Sequence, residues 1–566
     1  MKSLYILIVI ASLTLPVQSS AHESPGKEIY LDLMEEAVHA YTPELIMSYT
    51  DRVDSEGITE HGFPRLTANI GILLSHGRLA GMEGQFERMM DICIREIPIA
   101  RQRNKGKGTI GNDFSVKEIV YCLLEIESAG VMPAEKIAAW RGTFSAMKAE
   151  DIYSVQPVPG DGRARNWCVF GSASECARVY SGLGGDRSYA DRYLEDQLRF
   201  FDCNGMYRDP GSPMVYDFVT RLQYMAALDF GYDGPCREDI EKQLLLSAVP
   251  TLEMQSATGE IPFGGRSNQF LHNETFYAAV CEYYARWFHK LGDDAMAGRF
   301  KAAAARAVAA EWYWLAQKPV RHIKNRYPTE TGYGCEGYAY FDKYMVTMAS
   351  WAYMAYRFAD EGILPAADPE PDSTFVTSPD FHQIMMNAGG YTVQFDVNPK
   401  KEYDSPGIGR FQRAGAPPVI ALASPCPSVQ KPNYKIDIDG NGPLAIAPGW
   451  DKYDIVKTAP GLVILTDSTS IWRNRLSHKG LTIKLKGKGL QGITLPALVF
   501  DGESSPEVQC SGRMLTITFN GWKCTYRSSA PIVDSGRIYA GRNGHLQRFD
   551  TSSDKRLRIR ATIEKM

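Results

Sequence analysis

A glycine loop runs into a predicted helix at residues 263–274, which read Phe263-Gly264-Gly265-Arg266-Ser267-Asn268-Gln269-Phe270-Leu271-His272-Asn273-Glu274. Apolar residues at three and four spacing continue the helix to about residue 290. Either Ser267 or Asn268 is expected to cap it, which would place the polar residues on the first turn. Free N–H groups and the positive end of the helix dipole favour an anion there. We interpret this stretch as the floor of a site for an acidic ligand; the alternative is a capping loop with a surface histidine.

Similar polar windows open every second predicted helix along the chain. Successive windows lie 50 to 64 residues apart, and they centre on His61, Asn112, Asn166, Tyr216, His272 and Glu336. Between residues 27 and about 360 the apolar spacing predicts twelve helices, or six hairpins. A period of this size in helical hairpins indicates a structural repeat.

Six hairpins can close into a ring of inner and outer helices or stack as an open solenoid. Closure is favoured because a ring would aim all six polar helix starts into one cavity. The sequence therefore predicts an N-terminal (α/α)6-type toroid over residues 22–362, with the catalytic groups inside it.

After the helices, residues 363–380 are rich in Pro, Asp and Ser, as expected of a linker. From residue 381 to 566 the apolar period changes to two, and short strand-like segments alternate with Gly, Asn and Asp turns. This pattern predicts an antiparallel β-sandwich that covers one edge of the ring and has a structural role. Its loop at residues 405–413 is the predicted approach to the cavity.

The N-terminus has the order of a secretory signal peptide, predicted over residues 1–21. A basic start at Lys2 precedes an apolar run from Leu4 to Leu15 and small residues up to Ala21. No cysteine lies near the expected cut, so a periplasmic or secreted product is favoured over a lipid-anchored one. No later segment is apolar for long enough to insert into a membrane.

Composition narrows the partners and cofactors. The net charge is −4, and no basic run suited to nucleic acid occurs. The eleven cysteines are scattered without a Cys-x-x-Cys pair, so the sequence predicts neither a zinc site nor a disulfide framework. No cofactor or metal is predicted, and the oligomeric state stays open.

An exported ring lined with aromatic, Asn, Arg, His and Tyr side chains suits a carbohydrate. An Arg-His-Asn set adds a preference for carboxylate, because Arg266 can form paired charge-assisted bonds with it. The predicted partner is therefore an acidic glycan that contains a uronic acid. The residues predicted to bind it are Asn166, Trp167, Arg208, Tyr216, Asn268, Asn273, Glu274, Glu336 and Tyr338. Trp167 has two possible interpretations, a ring on which a sugar stacks or a residue buried at the start of its helix. His61 and Arg65 are interpreted as residues that take no part in the reaction.

Two chemistries follow from a uronate in this cavity. Hydrolysis needs two carboxyl groups that flank the glycosidic bond. Asp113, Asp217, Glu274 and Glu336 all lie on the predicted inner rim, so a glycoside hydrolase, a glucuronidase or unsaturated glucuronyl hydrolase, is one alternative. A glycan-binding protein without catalysis is another.

Elimination needs donors on the carboxylate and a base beside the proton alpha to it. One tyrosine can act as base and then as acid, but its pKa of roughly 10 requires a nearby cation. The predicted catalytic residues are His272, Tyr333 and Arg266, with Tyr333 as the phenol and Tyr338 in reserve. His272 could supply the positive charge or be the base. Tyr340, Tyr344 and Tyr353 are interpreted as core residues of the following helix.

At these windows the chain resembles the α/α-toroid polysaccharide lyases that carry a C-terminal β-sandwich. More narrowly, Glu60 to Asn69, Met206 to Asp217 and Arg266 to Glu274 are similar to the rhamnose-α-1,4-glucuronate lyases of polysaccharide lyase family 27. The resemblance implies removal of a terminal L-rhamnose from O4 of a glucuronate on arabinogalactan side chains, which leaves a 4,5-unsaturated uronate. It places the family's usual His and Tyr pair at His272 and Tyr333.

Overall fold

The computed structural model describes residues 26–105, 111–153, 162–427, 442–488, 490 and 492–566. Helices fill the N-terminal part and antiparallel sheets fill the C-terminal part, which confirms the predicted order of helices followed by strands. The predicted signal peptide, residues 1–21, lies outside the described residues. No helix within the described ranges is apolar over enough length to cross a membrane.

Fifteen α-helices occur among the described residues. They are α1 (Glu28–His39), α2 (Pro43–Glu56), α3 (Gly62–Ser75), α4 (Glu83–Arg103), α5 (Val116–Ala129), α6 (Ala134–Ser145), α7 (Ala149–Ile152), α8 (Asn166–Tyr180), α9 (Arg187–Leu198), α10 (Met214–Asp229), α11 (Arg237–Leu246), α12 (Ala248–Met254), α13 (Asn273–Lys290), α14 (Asp294–Leu315) and α15 (Phe341–Phe358).

The first helix predicted from the apolar spacing, Glu28 to Tyr49, is divided into α1 and α2 in the structure. Pro43 is the first residue of α2, and the Thr42 side chain accepts a hydrogen bond from the Leu45 N–H at 3.2 Å. A proline without an N–H and a threonine cap both favour a new helix start at this position. The prediction from apolar spacing alone therefore merged two helices, because it took no account of the helix start signalled by Thr42 and Pro43.

Six helices form a closed cycle of contacts. In order, α3 packs against α5, α5 against α8, α8 against α10, α10 against α13, α13 against α15, and α15 against α3. These helices are buried around most of their circumference, as expected of helices with neighbours on every side. The helices α1, α4, α9 and α14 pack outside this cycle.

The described C-terminal residues form three antiparallel sheets, which confirms the predicted antiparallel strands, while their arrangement as a sandwich stays a prediction. The strands are β1 (Ser373–Val376), β2 (Gln383–Ala388), β3 (Tyr391–Asp396), β4 (Gly407–Arg413), β5 (Asp454–Ala459), β6 (Leu462–Thr466), β7 (Ser470–Ser477), β8 (Gly480–Gly487), β9 (Ile493–Phe500), β10 (Glu507–Ser511), β11 (Met514–Phe519), β12 (Trp522–Ser528), β13 (Ile532–Gly541), β14 (Gly544–Thr551) and β15 (Arg556–Lys565). Their orders are β1-β2-β3-β4, β10-β11-β12-β15-β8-β7-β6-β5 and β13-β14-β9. Strand β1 lies inside the predicted linker 363–380, where it pairs with β2.

The four-stranded sheet joins the β part to the helices. Gln394 in β3 forms two hydrogen bonds with the backbone of Phe263, at 3.1 Å to its N–H and 2.6 Å to its carbonyl. Arg410 in β4 donates to the Ile261 carbonyl at 2.6 Å, and Gln412 donates to Glu260 at 2.5 Å. These buried polar side chains therefore fix the segment that leads into the glycine loop. The sequence analysis predicted that residues 405–413 reach the cavity, but none of them is among its lining residues.

We expect Asp217→Asn to lower the free energy of unfolding by about 3 to 5 kcal/mol, because it leaves a buried guanidinium without a countercharge. Asp217 is fully buried and accepts two hydrogen bonds from Arg221, at 2.9 and 2.7 Å. Urea denaturation measures the loss. The control is Glu241→Gln, which removes an exposed pair with Arg237 on α11 and should have a much smaller effect. Equal losses in the two variants would contradict the assignment of Asp217 to the core.

Candidate active site

A cavity of about 530 Å³ opens where the starts of the six inner helices meet. This volume lies in the range of about 300 to 1,000 Å³ that is typical of ligand sites. The lining side chains are His61, Phe114, Ala164, Arg165, Asn166, Trp167, Asp209, Pro210, Tyr216, Arg266, Tyr338, Lys343 and Tyr344. Each inner helix contributes a residue from its first turn or from the segment just before it. Windows that are far apart in the sequence thus share one cavity.

The glycine loop does not cap α13 in the predicted way. The helix begins at Asn273, and the side chain of its N-cap residue His272 forms no capping bond with the described residues. Ser267 and Gln269 instead have positive φ angles of 59° and 64°, which keep this segment out of a helix. The prediction that Ser267 or Asn268 caps the helix is therefore wrong, because the loop continues for several more residues.

Hydrogen bonds from other parts of the chain hold the loop. The Gly265 N–H donates to Asp404 at 2.7 Å, and the Ser267 N–H donates to Glu336 at 2.9 Å. The same Glu336 oxygen accepts a bond from Arg542 at 3.0 Å, while Asn273 donates to the Ser267 carbonyl at 3.3 Å. Glu336 and Asn273, which were predicted to bind substrate, thus support the loop from behind.

Arg266 projects from this loop into the cavity. Its guanidinium pairs with Asp209, donates to the Pro210 carbonyl and lies over the Tyr216 ring at 4.4 Å from the centroid. Burial lowers the pKa of Arg266, but its electrostatic interactions with the Tyr216 phenol oxygen and with the Asp209 carboxylate outweigh burial and raise the pKa overall. Arg266 is therefore a fixed cation beside a phenol.

Three tyrosine side chains face the cavity together. The Tyr216 hydroxyl lies 3.0 Å from the Ser267 hydroxyl, which lies 2.6 Å from the Tyr338 hydroxyl. Burial, followed by the proximity of Tyr216, raises the pKa of both Tyr338 and Tyr344. Of the three phenols, Tyr216 is the one that contacts the Arg266 guanidinium.

The start of α8 forms another wall. Asn166 is its first residue, and its side-chain oxygen is buried without a hydrogen-bond partner among the described residues. The Asn166 N–H lies 3.4 Å from Asp209, which connects this helix start to Arg266. Trp167 lines the cavity and packs edge-on against Phe114 at 4.5 Å. A ligand at this wall would meet an amide, an indole face and the positive end of α8.

Two histidines lie near the cavity in different ways. His61 lines it and packs edge-on against Phe114, although the sequence interpretation made it a spectator. His272 lies behind the wall, with its ring stacked on Tyr344 at 5.2 Å and on Phe270 at 5.5 Å. Burial lowers the pKa of both histidines well below the usual value, and the nearby Arg65 lowers it further. Both imidazoles are therefore neutral at pH 7.

The structure does not bring Tyr333 to the cavity. Its ring stacks on Tyr327 at 3.6 Å and contacts His545 of β14 at 6.0 Å, so it faces the β part. The interpretation of Tyr344 as a core residue is wrong as well, since its side chain lines the cavity. Tyr340 is 60% exposed, whereas Tyr353 is a core residue as expected. Tyrosines that are close in sequence thus lie in different environments: lining the cavity, packed against the β part, exposed at the surface or buried in the core.

The carboxylates expected for hydrolysis lie outside the cavity lining. Asp217 pairs with Arg221 in the core, and Glu274 accepts a bond from Lys324 at 2.7 Å. Glu336 holds the glycine loop, and Asp113 is buried in the turn before α5. Among the described residues that line the cavity, Asp209 is the only carboxylate.

Two further predicted residues also lie away from the cavity. Arg208 lies in an adjoining groove, where it donates to the Phe200 carbonyl at 3.1 Å. Asn268 is buried, and its side-chain oxygen accepts a bond from Gln269 at 3.1 Å. Both residues support the surroundings of the cavity.

Sequence reasoning missed several cavity residues. Arg165 and Asp209 stood next to chosen residues in their windows, so a wider selection would have included them. Lys343 lies at the start of α15, outside the windows, and forms no ion pair within the described part of the chain. With Arg165 and Arg266 it gives the described lining three cations against one carboxylate, and Arg266 already pairs with that carboxylate.

No protein-family model and no curated protein matches the sequence. Among solved structures, heparinase III is similar with a TM-score of 0.48 and 9% identity, over 90% of this chain and 78% of that one. A chondroitin AC lyase of Streptomyces coelicolor A3 has a TM-score of 0.46 and 9% identity, over 97% and 81%. A GH127 β-L-arabinofuranosidase of Geobacillus stearothermophilus T6 has a TM-score of 0.37 and 11% identity, over 94% and 98%. The function is therefore inferred from the cavity and the sequence.

We expect His322→Gln to flatten the dependence of stability on pH. Burial lowers the pKa of His322 to about 4, against roughly 6.5 for an exposed histidine. The neutral ring therefore stabilises the fold above about pH 6.5, and this contribution is lost as the pH falls toward the folded-state value. Over that window the slope should decrease by up to about 1.4 kcal/mol per pH unit. Urea denaturation at pH 7, 6 and 5 measures it, and an unchanged slope would contradict a buried neutral ring.

Proposed function

We propose that the protein is an exported polysaccharide lyase that cleaves a uronic-acid-containing glycan by β-elimination. One observation carries the proposal: the cavity holds the phenol of Tyr216 against the guanidinium of Arg266, and its described lining has a single carboxylate. A guanidinium beside a phenol stabilises the negative charge that the phenol oxygen carries when it acts as the base of an elimination. Hydrolysis would require a second carboxyl group across the glycosidic bond.

The reaction can proceed on one face of a glucuronate ring. The Tyr216 phenolate removes the proton from C5, alpha to the carboxylate, and a C4–C5 double bond forms as the C4–O4 bond breaks. The tyrosine then returns the proton to the released linking oxygen, which departs as the anomeric hydroxyl of the leaving sugar, so the enzyme ends in its starting state. Arg266 stabilises the phenolate in the first half of the reaction and the hydroxyl of Ser267 holds the oxygen in place.

The carboxylate of the substrate would bind at the start of α8. The C5 proton becomes acidic only when the charge on the carboxylate is neutralised, so donors must surround it. Asn166, Arg165 and the positive end of α8 meet there, on the same cavity as Tyr216. Trp167 provides an apolar face for the sugar ring. Arg266, expected from the sequence to clamp the carboxylate, instead serves the tyrosine in this scheme.

His272 takes a positioning role in the proposal. Its neutral ring stacks on Tyr344, and Tyr344 lines the cavity beside Tyr216 and Tyr338. It thereby fixes the wall against which the substrate packs. His61 lines the cavity, and an N–H group of its neutral ring can donate a hydrogen bond to the substrate.

The finer assignment rests on the sequence resemblance. We propose exo action on L-rhamnose-α-1,4-D-glucuronate at the ends of arabinogalactan side chains, without a cofactor or metal. The signal peptide predicted from the sequence over residues 1–21 is the basis for proposing a periplasmic or secreted location. We further interpret the closed cycle of six helices as the inner layer of an α/α toroid over residues 22–362, followed by a linker and the β part over 381–566.

A rhamnose-capped glucuronate oligosaccharide distinguishes the three candidate functions. We expect ultraviolet absorbance of the conjugated 4,5-unsaturated uronate to rise together with free rhamnose, because elimination forms both products in equal amounts. Sugar release without absorbance would mean hydrolysis and would contradict the proposal. Binding without either product would identify a non-catalytic glycan-binding protein.

We expect Tyr216→Phe to lower kcat by about 10² to 10⁴ fold, the usual contribution of general acid–base catalysis, with a much smaller change in KM. The matched control is Tyr333→Phe, which removes the same hydroxyl from a ring outside the cavity and should change kcat less than twofold. Absorbance-based initial rates measure both variants. Full activity of Tyr216→Phe, or loss of activity only in Tyr333→Phe, would reverse the assignment.

A further inference from the structure

One face of the eight-stranded sheet is exposed and points away from the helices. Side chains of the neighbouring strands β7, β8 and β15 alternate between buried and exposed, as expected of a sheet that is covered on one side. On the buried side, Trp472 of β7 packs edge-on against Phe395 of the four-stranded sheet, with ring centroids 5.7 Å apart. The four-stranded sheet in turn joins the helices, so the exposed face lies on the far side from them.

Cations lie directly opposite each other on this exposed face. Arg473 of β7 is paired with Lys484 of β8, which is paired with Arg558 of β15. All three side chains are exposed. Paired positions on neighbouring strands are about 5 Å apart, so three positive charges form one short row. Like charges directly opposite each other destabilise a sheet, so this row costs the fold some stability.

Two further rows flank the first one. On one side, Arg560 of β15 is paired with Arg527 of β12, and Arg475 of β7 lies in the same row. On the other side, Lys486 of β8 is paired with Arg556 of β15. Rows are two residues apart along a strand, which is about 7 Å. The three rows together contain eight exposed cations, and we call this surface the basic face.

Carboxylates do little to neutralise the basic face. Glu564 is the one carboxylate on this side of the four strands, and it is paired with Lys523 at the end of β15. None of the eight cations forms an ion pair within the described part of the chain. Arg560 donates to the Lys479 carbonyl at 3.4 Å, which is a neutral partner. In a protein with a net charge of −4, positive charge is thus concentrated on this face.

An extended polyanion fits the basic face better than a small anion does. The eight cations are spread over a sheet surface of about 14 Å in each direction. A single carboxylate would contact only part of this surface, whereas a chain with repeated carboxylates can contact all three rows. The described outward positions of the four strands include no aromatic residue on which the bases of a nucleic acid could stack. A glycan with many uronates is therefore the polyanion that these contacts favour.

We propose that the basic face is a second binding site, separate from the cavity, for the acidic polysaccharide on which the protein acts. The choice of this polymer rests on the proposed function. One side chain would present its terminal glucuronate to the cavity, while glucuronates of other side chains of the same polymer would contact the basic face. β-Elimination leaves each carboxylate on the polymer, so the polymer keeps its charge as its side chains are processed. The basic face would thereby retain one polymer through successive reactions.

The first test compares a long substrate with a short one. The triple variant Arg473→Gln, Lys484→Gln, Arg558→Gln removes the central row. We expect its KM for a rhamnose-capped arabinogalactan to rise at least about fivefold, because each exposed ion pair contributes a small factor to binding. Its kcat, and its kcat/KM for a rhamnosyl-glucuronate disaccharide, should stay unchanged, because the short substrate reaches only the cavity. Absorbance-based initial rates at low ionic strength measure these values.

The matched control removes the same charge from the helical half. The triple variant Arg192→Gln, Lys242→Gln, Lys290→Gln replaces three exposed cations and should change neither substrate's KM. An equal rise of KM in both triple variants would attribute the effect to net charge and overturn the proposal. Urea denaturation should show the central-row variant to be at least as stable as the wild type, because like-charge repulsion is removed. Added salt should raise the wild-type KM for the polymer toward that of the central-row variant.

Binding without turnover identifies the ligand of the basic face. The Tyr216→Phe protein is run in native gels that contain the arabinogalactan or its carboxyl-reduced form, and it is sedimented with vesicles of phosphatidylcholine and phosphatidylglycerol. We expect the acidic polymer to retard the protein, and replacement of the central row to weaken that retardation at least about fivefold. Equal retardation by the carboxyl-reduced polymer, or vesicle binding through the central row in place of polymer binding, would overturn the acidic glycan as the ligand.

Failure of the basic face and failure of the lyase assignment give different results. An unchanged KM and unchanged retardation in the central-row variant, with elimination intact, would overturn the basic face and leave the lyase assignment standing. Retardation that depends on the central row, without any eliminated product from the wild-type protein, would uphold the basic face and reject the lyase.

Discussion

The candidate site depends on one carboxylate oxygen of Glu336 that accepts hydrogen bonds from the Ser267 N–H and from Arg542. Ser267 has a left-handed backbone conformation that a residue with a Cβ adopts only when its surroundings impose it. Glu336 imposes it from the segment before α15, while Arg542 reaches in from the β part. The conformation in turn directs Arg266 and the Ser267 hydroxyl toward Tyr216.

Asp209 has the complementary role on the opposite wall. It is buried, and burial raises its pKa to about 6, although the Arg266 guanidinium and the Asn166 N–H favour its ionised form. As an anion it holds Arg266 against Tyr216 and links it to the start of α8. The same carboxylate thus sets the position of the cation and of the helix end.

The helical half was predictable because apolar residues recur at helical spacing, and the period of polar windows already indicated that distant helix starts would meet. The pairing of Arg266 with Asp209, 57 residues apart, was not, because it depends on how the loop turns. Tyr344 and Tyr353 lie nine residues apart in α15, on opposite faces of the helix, and one lines the cavity while the other fills the core. Tyr333 was misplaced because its stacking partners include His545, which no local pattern reveals.

The joint between the helices and the four-stranded sheet has an evolutionary consequence. A domain with its own core and few contacts across its boundary can be exchanged as an independent unit. Here, however, Gln394, Arg410 and Asp404 bond directly to the segment that carries the site. A replacement module would have to supply equivalent donors and acceptors at the same positions. Exchange of either half alone would therefore leave buried donors and acceptors at this joint without partners.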